Sequence, residues 1–90
     1  MTRQWMSSTS GVPSTVRVEV QAHAEVVRAR RAAVHAGARA GLPAPRTADV
    51  GLVAVELATN LVKHTRGGVL LITVLAPGIL DLVALDHGPG

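Results

Sequence analysis

The chain has 90 residues, a formal net charge of +3, and a hydrophobic content of 48% that comes from Ala, Val and Leu; there is one Trp and no Phe, Tyr or Cys. That length allows one domain with a shallow aliphatic core, burying only roughly 60–65% of its extended-chain surface, and the lack of Cys excludes a disulfide framework and a thiolate metal site. No apolar run approaches the ~18 residues of a membrane span, and no charged-then-apolar signal pattern opens the chain, so a soluble, cytoplasmic protein with no membrane partner is expected.

In chain order, residues 1–13 hold Ser7, Ser8, Thr9, Ser10, Gly11 and Pro13 and read as a flexible leader, with Trp5 as its one aromatic residue. From Thr15 to Gln21, Val16, Val18 and Val20 alternate with Arg17, Glu19 and Gln21, the period of a half-buried strand. Ala22 to Ala40 is rich in strong helix formers and predicts a helix ending near Gly37 or Gly41, with Arg28, Arg31, His35 and Arg39 along one solvated side. Leu42-Pro43-Ala44-Pro45 reads as a connector whose prolines keep this helix from fusing with the next. A second helix is expected between an N-cap at Thr47 and a left-handed stop at Gly67-Gly68. Val69 to Leu75 predicts a strand buried on both faces, Pro77-Gly78 a reverse turn, and Ile79 to Leu85 the returning strand of a hairpin.

The basic balance invites a nucleic-acid reading, and the composition argues against it. Eight of the nine basic residues are Arg, but no aromatic platforms interleave with them and no nucleic-acid motif is present.

Most of the chemistry sits on the second helix. On a helical wheel Leu57, Val50, Leu61, Ala54, Ala58, Val62 and Val55 fill one arc. Asp49, Glu56, Asn60, Lys63 and His64 gather on the other, beside Leu52 and Val53. Glu56 and Asn60 stand at i and i+4, so their side chains share a face. An anionic base, a neutral oxygen ligand, a cation and an imidazole together suit a metal–phosphate group, since Mg²⁺ takes oxygen ligands and borrows several from phosphates. At the end of the last strand stands Asp86-His87-Gly88-Pro89-Gly90. There a carboxylate can accept from an exocyclic amino group, and glycines let the backbone approach a ligand closely.

Glu56-x-x-x-Asn60-x-x-Lys63-His64 resembles the N-box of the GHKL ATPase superfamily (gyrase, Hsp90, histidine kinase, MutL), and is most similar to its anti-sigma factor serine kinase branch. Asp86-x-Gly88-x-Gly90 resembles the G1 box, in the expected order. The resemblance covers about Thr15 to Gly90. It implies an α+β two-layer sandwich of the Bergerat type with helices on one face of a mixed sheet, residues 14–90 forming its N-terminal part and the lid and later glycine motif lying beyond. It also implies ATP and Mg²⁺ as ligands, Asn60 holding the metal, Glu56 as general base, Lys63 and His64 near phosphate, Asp86 selecting adenine, and Gly88 and Gly90 shaping the pocket. The implied reaction is transfer of the γ-phosphate to a serine of a STAS-type antagonist, with homodimer formation admitted. Two alternatives stay open: a fragment that only binds a partner protein, and a histidine kinase ATPase fragment.

Overall fold

Five elements follow from these patterns in a computed structural model that describes residues 14–88. The valine alternation forms β1 (Ser14–Val20), with Val18 and Val20 buried and Arg17 and Glu19 in solvent. Helix α1 (His23–Arg39) starts without a capping hydroxyl. Glu25 reaches back instead, its Oε1 accepting from the amides of Ala22 (2.8 Å) and Gln21 (3.0 Å), which satisfies donors that precede the first turn. The helix stops where Gly41 takes φ 86°. Its amide donates to Ala38 and that of Leu42 to Gly37, both at 3.0 Å, the paired bonds of a Schellman ending.

Helix α2 (Ala44–His64) begins three residues before the expected cap. Pro43 is the N-cap residue, and Pro45 sits in the first turn, where a missing N–H costs nothing. Thr47 is therefore not a cap. It lies buried inside the helix with its hydroxyl donating to the Ala44 carbonyl at 2.8 Å. The connector shrinks accordingly, and Ala44 and Pro45 belong to the helix. At the other end Thr65 turns extended, and the positive φ of 94° falls on Gly67, beyond the helix rather than as its immediate stop.

Strands β2 (Gly68–Ala76) and β3 (Ile79–Asp86) form the expected hairpin around Pro77-Gly78, with Gly78 at φ 77°. Its amide donates to the Ala40 carbonyl at 2.8 Å, pinning the turn to the end of α1. The sheet order is β1-β2-β3, and both pairings are antiparallel. Among the described residues the sheet is not mixed. With two helices between β1 and β2 the chain reverses three times, so β2 returns antiparallel; a parallel neighbour would need a single crossover helix and two reversals.

Val16, Val18 and Val20 share a sheet face with Leu70, Ile72 and Val74, and with Leu80, Leu82 and Ala84, by register. Both helices cover that face. Leu70, Ile72 and Val20 are its largest fully buried side chains. The helical side contributes mostly Ala29, Ala33, Ala36, Ala54 and Ala58, so the helices sit close to the sheet and to each other. The helix crossing is tight at Gly51, where an added Cβ would lie 2.8 Å from Val34 Cγ2. On the far face only the start of β2 is well covered, with Val69 buried, whereas Leu75 and Leu85 are exposed. Burial on both faces thus holds for the first residues of β2 and not for the whole strand. The described residues form an α+β fold of two layers. Residues 1–13, Trp5 among them, lie outside the described residues, as does Gly90.

Candidate functional site

The polar arc of α2 is where the wheel places it. Ala54, Ala58 and Leu61 are buried against the sheet side, and Asp49, Glu56, Asn60, Lys63 and His64 all face solvent. Leu52 and Val53 remain exposed beside them. Among the described residues the Glu56 carboxylate forms no salt bridge with Lys63 or His64; the one ion pair lies on β1. No group of three or more His, Asp or Glu side chains converges as a metal cage among them. What α2 offers is one carboxylate and one amide oxygen a helical turn apart. That donor set fits Mg²⁺, which keeps waters and takes most of its ligands from phosphate oxygens, and fits a cation needing a complete protein cage poorly.

The second motif is joined to the end of this helix by backbone hydrogen bonds. The Thr65 hydroxyl donates to the Leu61 carbonyl at 2.6 Å and accepts from the Gly67 amide at 2.9 Å, turning the chain out of α2. Gly67 then lies so close to β1 that a Cβ would stand 2.7 Å from the Val20 carbonyl oxygen. Gly68 pairs with Asp86 in the hairpin. The ladder continues one step further: His87 N–H donates to the Gly67 carbonyl at 2.9 Å, and Arg66 N–H to the Gly88 carbonyl at 3.4 Å.

Asp86 is exposed at the strand end, and its Oδ1 accepts from the Gly88 amide at 2.9 Å, while Gly88 takes φ 103°. One carboxylate oxygen is thus committed to holding the turn, and Oδ2 is left to accept from a ligand. The structure therefore brings Asp86 and Gly88 to the end of α2 that carries Lys63 and His64. Asn60 lies about 6 Å and Glu56 about 12 Å back from His64 along the axis, at 1.5 Å per residue.

A shallow pocket lies elsewhere, on α1, lined by Arg30, Arg31, Val34, His35 and Ala38. Arg30 was not among the basic residues singled out in the sequence. Its signal was the i, i+4, i+8 row Arg30, Val34, Ala38, which places a cation over a small apolar floor. No protein-family model, no curated protein and no solved structure matches this chain.

Proposed function

We propose that the chain is an ATP-binding regulatory module of the GHKL type, similar to the anti-sigma factor serine kinases. The observation that carries this reading is the hydrogen bond from His87 to Gly67, with its continuation to Gly88. It sets the Asp-x-Gly turn against the end of the helix that carries Glu56, Asn60, Lys63 and His64.

In this reading Asp86 Oδ2 accepts from the adenine amino group, and the Lys63 ammonium meets phosphate as a point charge. Asn60 Oδ1 would hold the Mg²⁺, which supplies charge neutralisation at the phosphates when bound. In this reading Glu56 would accept a proton from a hydroxyl nucleophile, the role a kinase requires of a carboxylate near the γ-phosphate. A serine of a STAS-type antagonist is the proposed acceptor, and the cytoplasm the proposed location. The rival reading, a module that only binds a partner protein, draws on the cationic pocket of α1.

Titrating ¹⁵N-labelled protein with ATP, with and without Mg²⁺, tests the proposal. Shifts gathered on Glu56–His64 and Arg66–Gly88 are expected at millimolar nucleotide, a dissociation constant near 1 mM being only about 4 kcal/mol of binding. Asn60→Ala should remove the Mg²⁺-dependent part while leaving α2 intact, because Ala is the better helix former. Shifts confined to the α1 pocket, or none at all, would overturn the reading.

A further inference from the structure

We propose that the open face of the sheet seats the chain's own N-terminal segment, residues 1–13, with Trp5 lying over Leu71 and Val83. The register sets Leu71 opposite Val83 and Thr73 opposite Asp81, on the face that alternates with the helix-covered one. Val83 is exposed there, and Leu75, further along β2 toward the turn, is 45% exposed. Arg17 stands opposite Leu71 on the β1 side, and Thr15, Thr73 and Asp81 border the same cluster. Apolar surface framed by polar side chains in this way marks a contact site.

The chain's own reach, its one large side chain and its charges point to this occupant. Ser14, where β1 begins, pairs with Val74, three positions along β2 from Leu71. At about 3.3 Å per residue and ~4.8 Å per strand, Val83 lies roughly 14 Å from Ser14. Trp5 stands nine positions before Ser14, which is enough chain for roughly 30 Å. The excess lets the segment turn round the outer edge of β1, where no strand lies among the described residues. Ser7, Ser8, Ser10 and Gly11 then serve as the link between Trp5 and the strand.

Trp5 is the only aromatic residue, and the core is filled without it, Leu70, Ile72 and Val20 being its largest fully buried side chains. An indole buries about 150–250 Å² when covered, and a flat aliphatic pair such as Leu71 and Val83 suits its ring. Charge complements the fit. Asp81 stands two positions before Val83 and forms no ion pair among the described residues. Arg3 stands two positions before Trp5. Residues two apart lie on one side of an extended chain, so Arg3 can meet Asp81 while Trp5 covers Val83.

Fluorescence tests the proposal directly, because the chain holds no other Trp and no Tyr or Phe. Acrylamide quenching of the full chain at micromolar concentration should be about fivefold weaker in buffer than in urea, the ratio given by a docked form favoured by about 1 kcal/mol. Val83→Asp should return the quenching toward its value in urea and move the emission to the red. Asp81→Arg should do the same in smaller measure. Val27→Asp, at an exposed valine of α1, should leave both readings unchanged. The far-UV spectrum shows whether each variant keeps its fold. Trp5→Ala gives an independent reading: binding of an apolar dye should rise with the fold intact. Equal quenching of the wild type in buffer and urea would overturn the proposal. So would protection that survives both Val83→Asp and Asp81→Arg in folded protein. Protection lost on dilution would overturn it too, and would show that a second copy covers the face instead.

Discussion

Gly68 pairs with Asp86 at a point where nothing larger than hydrogen fits. A Cβ on Gly68 would collide with the Leu85 carbonyl oxygen, and would lie 2.8 Å from Asp86 Cα and 3.0 Å from Leu61 Cδ2. Two of these obstacles are backbone, which cannot rotate away. The close approach sets the separation between the end of α2 and the Asp86 turn.

Gly68→Ala should therefore destabilise the fold by about 3 kcal/mol or more, in the range reserved for overpacking against backbone. Urea unfolding of the variant measures this. A loss below ~1 kcal/mol would show that the hairpin can open at Gly68 and that the tight approach is dispensable.

The period of two in β2 and β3 separates two leucines of the same size. Leu70 is completely buried beneath the helices, and Leu85 is 51% exposed on the open face. Leu70→Ala should cost about 2–5 kcal/mol, the sum of lost transfer energy and a residual cavity. Leu85→Ala should cost distinctly less, since solvent already reaches half of the side chain. Equal losses in denaturant unfolding would mean that the outer face is covered in solution.

Glu25 gives the fold a pH dependence of known sign. Hydrogen bonds from the Gln21 and Ala22 amides, with a smaller attraction to Arg28, hold its carboxyl below the ordinary value of 4.5. A carboxylate whose pKa is lower folded than unfolded stabilises the fold above the unfolded value. That contribution disappears as pH falls through the folded value. Stability should thus decline from near pH 4.5 downward in wild type, and Glu25→Gln should flatten that part of the profile. Parallel profiles in thermal unfolding would remove Glu25 as a contributor.

These residues also mark how much could be read in advance. Val16, Val18 and Val20 announced β1, and Pro77-Gly78 announced the hairpin, because each signal depends on the local backbone alone. The polar arc of α2 was legible for the same reason, as a property of one helix. Thr47 misled because a hydroxyl can cap a helix or bond back to an earlier carbonyl from within it; Pro43-Ala44-Pro45 had already begun the helix. The sheet direction depended on counting reversals across the whole chain. The ladder from Arg66 and Gly67 to His87 and Gly88 was not legible at all, since it is formed by backbone groups carrying no sequence signal. It is this ladder that places the two motifs side by side.

The role proposed for Asp86 is the most selective test of the site. Oδ1 accepts from the Gly88 amide at 2.9 Å, and Asn in its place can keep that bond with its own carbonyl oxygen. The turn should therefore survive Asp86→Asn, and the Gly67–His87 hydrogen bond with it. The second carboxylate oxygen is replaced by an NH₂ donor, which would face the amino group of adenine donor to donor. Such a mismatch should cost about 1–3 kcal/mol of ATP affinity. GTP carries a carbonyl where ATP carries the amino group, so the same change should narrow any preference for ATP. Titration of both nucleotides into wild type and variant, followed at the amides of Gly67 and Gly88, measures the difference directly. Equal losses for ATP and GTP would point to a damaged turn. Unchanged affinity for both would leave Asp86 as a turn residue only, and nucleotide recognition would then have to rest on α2.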